Sequence, residues 1–417
     1  MLKINKVGVI GLGYIGLPTA VTLANHGIAV HGVDVRESAV DMIARGRPHI
    51  HEPGLDAVLE TCVKSGALRV SSTPQPCDAF VLAVPTPFEH DHIPDLSYVE
   101  AATASIAPVL VAGNLVILES TSPIGTTERV ARQLASLRPD LTFPTVEGAS
   151  HQVHVAHCPE RVLPGQILHE LVHNARVIGG ICPCCTRAAI DLYRRFVEGD
   201  CVETNARTAE MVKLSENTFR DVNIAFANEL GLIADRLGVD VTEVIRLANL
   251  HPRVDILRPG TGVGGHCLAV DPWFVIHSAP AESKLIRTAR LINDAKPKIV
   301  ADKVVAAHGA LAQPRVVGCL GLTYKPDVGD IRESPSIAVI EQLLKAGVTP
   351  ILVHDPFVSE LPREIRKPGV KLTSLESVLI QANILVLLTG HREYRSLNAG
   401  DRAGKTVIDP SGTWKTS

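Results

Sequence analysis

Residues 6 to about 200 alternate short β-rich runs with stretches of helical periodicity. Candidate strands lie at Val7–Ile10, Ala29–Val33, Ala79–Val84, Leu115–Glu119, Val153–His157 and Arg176–Ile178. Alternation of this kind predicts a parallel sheet with helices on both faces. From Thr208 to Gly238 the pattern changes to a long helix, in which Met211, Leu214, Thr218, Val222, Ala225, Ile233 and Leu237 keep a three-to-four residue rhythm until Gly238. Helical patterning continues through Thr242–Leu250 and breaks at His251-Pro252. A second α/β region opens at Val316–Leu322, with a helix over Ser336–Ala346 and strands at Pro350–His354, Ile384–Leu388 and Val407–Ile408.

At 417 residues the chain is too long for one ordinary core, so two or three domains are expected. Hydrophobic content of 46% with 20% charged residues describes a globular protein, and a net charge of -3 supplies no attraction for nucleic acid or an anionic membrane. No apolar run approaches the ~20 residues that span a bilayer. The chain enters its first strand without the apolar core of a signal peptide, and its nine cysteines are scattered and odd in number. Both features point to reduced thiols in a cytoplasm.

Gly11-Leu12-Gly13-Tyr14-Ile15-Gly16 is a G-x-G-x-x-G run that follows a strand, opens a helix, and precedes a second strand ending at Asp34. That context makes it a dinucleotide fingerprint. Gly11 would make the turn, Gly13 would admit a pyrophosphate, and Gly16 would let helix and strand pack closely. Asp34 is placed to accept the ribose hydroxyls, which favours NAD over NADP, while Arg36 keeps the phosphorylated cofactor open. The expected fold is α/β, with two Rossmann-like doubly wound parallel-sheet domains joined by a long central helix. The second α/β half has no glycine fingerprint and should bind something else.

Cys267 follows a glycine-rich run, Gly260-Thr261-Gly262-Val263-Gly264-Gly265-His266, and precedes Asp271. A thiol on a chain that binds NAD suits oxidation beyond an alcohol. It can add to an aldehyde, and the adduct can be oxidised to a thioester that water opens. Glycines ahead of it would remove bulk where a large substrate approaches. Lys213 and Asn217, four apart on the long helix, share a face. A lysine there can stabilise an alkoxide and an amide can hold a water or oxyanion, with Asp271 in a proton relay.

These residues, with several further segments, carry a resemblance over nearly the whole chain. The segments are His51–Leu55, Val84–Pro87, Glu119–Thr127, Cys158–Arg161, Ala209–Asn217, Gly321–Asp327 and Asp330–Pro335. The chain resembles the nucleotide-sugar 6-dehydrogenases of the UDP-glucose dehydrogenase superfamily. The resemblance implies an NAD-binding domain over 1–203, a central helical dimerisation and active-site domain over 204–305, and a UDP-sugar-binding domain over 306–417. It makes Cys267 the nucleophile of a four-electron oxidation of a sugar 6-hydroxyl to a carboxylate, assisted by Lys213, Asn217 and Asp271. Thr121 and Glu160 would lie near the catalytic water. Tyr14, Ile15, Pro85, Thr86, Thr121 and Arg332 would join the fingerprint in holding NAD. Glu160, Arg161, Val162, Lys213, Asn217, Arg220, Gly264, His266 and Lys325 would meet the substrate. Arg253 would enter a neighbouring subunit, implying a homodimer built around the long helix.

The UDP-glucose branch has a lysine directly before the aspartate that follows the nucleophile, and Val270 stands there instead. Gly264-Gly265-His266-Cys267 with Val270-Asp271-Pro272-Trp273 is more similar to the branch acting on UDP-N-acetyl-hexosamines, in the synthesis of cell-surface polysaccharide. The manno-configured substrate is the specific expectation, with the gluco epimer as runner-up and UDP-glucose behind both. A non-catalytic nucleotide-sugar sensor is the alternative of a different class.

Three further patterns invite metal chemistry. His169-Glu170-Leu171-Val172-His173 spells the H-E-x-x-H of zinc proteases, but the helical stretch around it is short and no third ligand follows. Cys182-Pro183-Cys184-Cys185 lacks a second cysteine cluster and is expected to be an ordinary helix start. His49-Ile50-His51-Glu52 should belong to a loop over the cofactor. No metal is expected.

Overall fold

Eight strands build the first sheet in a computed structural model that describes residues 2–88, 90–145, 150–311 and 315–414. They are β1 (Lys6–Ile10), β2 (Ala29–Val33), β3 (Leu68–Ser71), β4 (Ala79–Leu82), β5 (Leu115–Leu118), β6 (His154–His157), β7 (Arg176–Gly180) and β8 (Cys201–Asn205). Their order is β3-β2-β1-β4-β5-β6-β7-β8, parallel throughout except for the antiparallel β6–β7 pair. Helices cover both faces, so the central strands are buried on two sides and read as unbroken apolar runs. One core gathers Val7, Leu17, Ile28 and Tyr193, the other Ile10, Phe80, Val116 and Leu134. β3 and β8 were not foreseen. They are edge strands whose polar residues, as in Cys201-Val202-Glu203-Thr204-Asn205, face outward.

The chain divides into two compact units, one ending at Glu216 and the next beginning at Asn217. In the second unit, β9 (Val317–Leu320), β10 (Ile351–His354), β11 (Val370–Leu372), β12 (Ile384–Leu387) and β13 (Thr406–Ile408) form a parallel sheet in the order β11-β10-β9-β12-β13. That order repeats the first five positions of the larger sheet, and the repeat extends to single hydrogen bonds. Gly11 (φ +90°) donates its N–H to Val33 O at 2.8 Å, and Gly321 (φ +94°) donates to His354 O at 2.9 Å. The next amide in each case reaches an aspartate: Leu12 to Asp34 at 3.0 Å, Leu322 to Asp355 at 2.6 Å. The sequence shows no such repeat because what recurs is backbone geometry plus one carboxylate.

The expected long helix spans Ala206–Leu237, stopped by Gly238 at φ +67°. A second long helix, Lys284–Ala310, was not read from the sequence. The first half of its inward face is polar, with Arg290, Asn293 and Lys296 buried, and past the mid-helix Pro297 it turns apolar through Val300, Ala301 and Val304. Arg290 Nη1 meets Asp221 Oδ1 at 2.5 Å with both side chains inaccessible, and Asn293 Nδ2 donates to the same carboxylate oxygen at 2.8 Å. Hydrophobic periodicity has little to register on that polar half.

The first unit carries its own buried polar group. Glu119, at the end of β5, accepts from Thr19 Oγ1 at 3.2 Å and from the Tyr193 hydroxyl at 3.3 Å. Burial pushes its carboxyl up to about 7, with the Arg176 charge opposing and Glu160 adding to the rise. The folded protein therefore holds a proton here that the unfolded chain releases near the ordinary carboxyl value of 4.5. Glu119 thus contributes stability that is complete below about pH 4.5 and is lost as pH rises toward and through about 7. Glu119→Gln, neutral at every pH, should be spared a loss on the order of 3 kcal/mol. Its thermal midpoint by calorimetry should gain on the parent's between pH 5 and 8, and a constant difference would remove Glu119 as the titrating group.

Candidate active site

The strands β1, β4, β5 and β6 run parallel, so their C-terminal ends share one edge of the sheet. The fingerprint turn lies there. A Cβ on Gly16 would stand 1.8 Å from Gly11 O and one on Gly11 would stand 2.6 Å from Ala83 O, whereas one on Gly13 would meet nothing within 4 Å. Two glycines are thus demanded by the protein's own packing, and the third leaves room for a pyrophosphate at the start of the Gly16–Asn25 helix. The half-buried Tyr14 and Ile15 follow Gly13, and Tyr14 donates its hydroxyl to His51 O at 3.5 Å. This places the His49–Glu52 segment beside the turn.

Asp34 is buried at the end of β2, accepting from Leu12 N–H and, at 2.9 Å, from Arg36 N–H. Burial opposes its ionisation, but the Arg36 hydrogen bonds outweigh that and hold the carboxyl below its ordinary value. An ionised carboxylate suits ribose hydroxyls and repels a 2′-phosphate. Arg36, which had kept NADP open, is engaged with Asp34 and with His49 Nε2 at 3.1 Å. The residues present fit NAD.

β4 and β5 end one or two residues earlier than their apolar runs suggest, because their tails bond to each other. Val84 N–H donates to Ser120 Oγ at 2.9 Å, that hydroxyl donates back to Val84 O at 2.7 Å, and Thr86 Oγ1 donates to Thr121 O at 2.6 Å. Pro85, Thr86 and Thr121 are thereby held along the same sheet edge. Glu160, just past β6, is buried and accepts from Val162 N–H at 2.5 Å. Burial raises its carboxyl above the usual range against the charges of Lys213 and Arg176. Arg161 is committed to Glu216, with Nε to Oε2 at 3.1 Å, and to Ala175 O.

Some motif residues turn out to be anchors. Glu52 accepts from Gly165 and Ile167 N–H at 2.9 and 2.8 Å, capping the Ile167–His173 helix. Glu210 does the same for the Thr126–Leu137 helix through Gly125 and Thr127. Within the H-E-x-x-H segment, the His169 and His173 rings stack at 4.1 Å and Glu170 accepts from Leu163 N–H at 2.7 Å. Its glutamate is a structural acceptor.

In the second unit Cys267 is half-buried, its Sγ 3.1 Å from His266 Nδ1. Asp271 starts the Asp271–Ser278 helix and donates its N–H to Cys267 O at 2.8 Å, closing a tight turn. Asn217 Nδ2 donates to Asp271 Oδ2 at 2.5 Å, with both residues buried. The glycines ahead of Cys267 serve packing more than substrate access. A Cβ on Gly264 would stand 2.3 Å from Glu333 O, and one on Gly265 (φ +82°) 2.8 Å from the Tyr324 ring. The Cys267 loop is pressed onto the 321–335 segment, and Gly265 N–H donates to Arg332 O at 3.2 Å.

Arg332 itself pairs with Asp330, Nη2 to Oδ2 at 2.6 Å. That hydrogen bond, above all, raises the basicity of its guanidinium, with Tyr324 and Cys267 adding to it. Lys325 is half-buried in the turn after β9, while Arg220, Arg253 and His266 are exposed. Sequence reasoning missed Asp355 and His391. Asp355 accepts from Leu322 N–H and from His391 Nε2 at 3.1 Å, and Asp327 N–H donates to His391 Nδ1 at 2.9 Å. An aspartate ending the second strand of the second sheet was the available signal. Thr121, Glu160 and Lys213 thus belong to the first unit, and Cys267, Asn217, Asp271, Lys325 and Arg332 to the second.

Among the described residues no helix is long and apolar enough to cross a membrane. Three models of the UDP-glucose/GDP-mannose dehydrogenase family match: its NAD binding domain over 5–197, its central domain over 207–295 and its UDP binding domain over 318–416. The chain is 52% identical to an NDP-N-acetyl-D-galactosaminuronic acid dehydrogenase of Ralstonia nicotianae, covering 99% of this chain and 97% of that one. It is 51% identical to the UDP-N-acetyl-D-mannosamine dehydrogenase of Escherichia coli, covering 98% and 99%. The structure of the UDP-D-ManNAc dehydrogenase from Pyrococcus horikoshii superposes with a TM-score of 0.87 at 40% identity, covering 99% and 96%. The chain belongs to the UDP-glucose/GDP-mannose dehydrogenase family, the NAD-dependent dehydrogenases of nucleotide sugars.

Proposed function

We propose that this protein oxidises the 6-hydroxyl of UDP-N-acetyl-D-mannosamine to a carboxylate, in a cytoplasm and as a homodimer. The observation that carries the reading is the Cys267–Asp271 turn with Asn217 hydrogen-bonded to Asp271. The Gly11–Gly16 turn, with Tyr14, Ile15, Pro85, Thr86 and Arg332, would hold NAD, and two NAD molecules in succession would each accept one hydride. The three-part division at 1–203, 204–305 and 306–417 belongs to the same reading.

Lys213 stabilises the alkoxide as the 6-hydroxyl is first oxidised. Cys267 Sγ then forms a bond to the aldehyde carbon, the carbonyl pair moves onto oxygen, and His266 Nδ1, 3.1 Å from the sulfur, takes the thiol proton. Asn217 has a second amide proton beyond the one given to Asp271, and it serves the oxyanion. After the second oxidation, water adds to the thioester and the C–S bond breaks, releasing the acid and Cys267. Glu160, its carboxyl raised above the usual range by burial, and Thr121 attend that water. Arg161, Val162, Arg220, Gly264 and Lys325 are the remaining substrate contacts.

A second reading rests on the 52% identical relative from Ralstonia nicotianae, whose name points to the galacto configuration. Coupled NAD reduction with the UDP-activated N-acetyl derivatives of mannosamine, glucosamine and galactosamine, and with UDP-glucose, decides between them. The manno substrate should lead in kcat/KM by about tenfold, the discrimination a few well-placed contacts supply. Two NADH should form per sugar. A galacto preference replaces the epimer alone, one NADH per sugar ends the four-electron scheme, and binding without NAD reduction favours a sensor.

Cys267→Ser should lower uronate production by about 10³-fold or more, because a serine alkoxide is far harder to form at neutral pH than a thiolate. Full uronate production by the variant would refute the covalent step.

The dimer is supported by Phe219 and Leu237, each 68% exposed, and by Phe226 on the central helix. Light scattering should return twice the 44.6 kDa chain mass, and Phe219→Glu should shift it toward the monomer. A parent that runs as a monomer would end this assembly and the role of Arg253 across it.

A further inference from the structure

Far along the first sheet from the fingerprint, three thiols and an imidazole converge. Cys182 immediately precedes the Pro183–Tyr193 helix and Cys184 and Cys185 lie in its first turn. His151 comes from the segment leading into β6. One ligand atom from each of His151, Cys182, Cys184 and Cys185 falls within 4.8 Å of every other. His151 Nε2 stands 3.8, 3.6 and 3.4 Å from the sulfurs of Cys182, Cys184 and Cys185. Cys182 Sγ is 2.9 Å from Cys184 Sγ and 3.3 Å from Cys185 Sγ.

We propose that His151, Cys182, Cys184 and Cys185 form a structural site for one thiolate-binding d¹⁰ divalent cation, zinc above all. Zinc bound tetrahedrally at ~2.3 Å to sulfur and ~2.0 Å to nitrogen sets S···N edges of about 3.5 Å and S···S edges of about 3.8 Å. The three observed S···N separations straddle the first figure. The Cys182–Cys184 and Cys182–Cys185 sulfur edges, at 2.9 and 3.3 Å, need to open by about 0.9 and 0.5 Å, which rotation about the Cα–Cβ bonds of Cys182 and Cys184 supplies.

The chemistry of the surroundings fits. The backbone N–H groups of Cys184 and Cys185 face the Cys182 sulfur. Those amides open a helix, where thiolates are favoured. Three thiolates and a divalent ion leave one negative charge, and Arg187 lines the same hollow. His154 Nδ1, 3.3 Å from His151 Nε2 and 3.8 Å from Cys185 Sγ, is a fifth donor beside the cluster. The sequence reading stopped at the cysteine run for want of a fourth ligand. The antiparallel β6–β7 pair supplies it from 31 residues upstream.

The placement assigns a role. β6 runs parallel to β5, β4 and β1, so its N-terminal end lies at the sheet edge opposite the Gly11–Gly16 turn. A metal there ties the segment before β6 to the helix after β7, remote from the cofactor. Its loss should weaken the fold and spare the chemistry.

The test uses tag-free full-length protein, since a histidine tag would itself carry zinc. Elemental analysis should find about one zinc per chain. Replacement by cobalt(II) should give the near-ultraviolet thiolate charge-transfer band and the visible bands of a tetrahedral ion. Cys184→Ser and His151→Ala should each lower metal affinity by about tenfold or more, with NAD reduction within about twofold of the parent. Chelation should lower the parent's thermal midpoint more than that of Cys184→Ser. Should either variant fail to fold, the cobalt spectrum of the parent still decides. Zinc well below stoichiometry with no thiolate band, metal content indifferent to both substitutions, or a Cys182–Cys184 disulfide in the freshly purified protein would each overturn the site.

Discussion

Each half of this molecule is organised around one backbone amide and one aspartate. Where a parallel strand ends and the chain turns into its next helix, the following N–H has lost its ladder partner and faces inward. A buried amide left unpaired costs about 1–3 kcal/mol. Asp34 accepts this proton from Leu12, and Asp355 accepts it from Leu322. The carboxylate then sits fixed at the switch point of a doubly wound sheet, where ligands bind. In the first sheet Asp34 faces the glycine turn with the polarity a ribose needs. In the second, Asp355 is engaged by the buried imidazole of His391, so the same frame is polar without being a dinucleotide site.

Close packing of the Cys267 loop is the second constraint, and it explains a residue pattern that chemistry alone misassigns. Glycines before a reactive cysteine suggest space for substrate. Gly264 and Gly265 instead bring the loop against the carbonyl of Glu333 and the ring of Tyr324, at separations that a methyl group would not survive. A side chain here would first displace the loop from the 321–335 segment. Cys267 is thereby tied to the domain that the family model assigns to UDP binding, with Arg332 O accepting from Gly265 N–H.

Legibility in the sequence follows where the free energy of each element comes from. Strands buried on both faces, such as β1, β4 and β5, announce themselves as apolar runs because burial is their whole stabilisation. Edge strands β3 and β8 draw on ladder hydrogen bonds that any residue can make, so they left no trace. The Lys284–Ala310 helix was hard to read for a different reason: the first half of its inward face is held by the Arg290–Asp221 pair and by Asn293, and its apolar stripe of Val300, Ala301 and Val304 is confined to the second half. At the site, residues with intrinsic chemistry stood out, namely Cys267, Lys213, Asn217 and Asp34. Those whose function is to restrain others, such as Ser120, Glu52 and Glu210, carry no type-specific signature. Their meaning appears only when distant segments are brought within hydrogen-bonding distance.

The nine thiols show how environment sorts one residue type into several chemistries. Cys158 and Cys319 are wholly enclosed by the sheets, and burial drives their thiols up to about 12, beyond any useful nucleophilicity. Cys77 follows the same rule at about 11. Cys267 instead sits half-buried in a loop, with an imidazole at hydrogen-bond distance. The helix-start trio takes another course, sharing one imidazole and the amides of a single helical turn. Thiolate formation at a lone site favours attack on carbon, whereas three sulfurs within contact distance repel one another once ionised. That repulsion is relieved by a cation placed among them, which is why adjacency, more than acidity, separates a ligand set from a nucleophile.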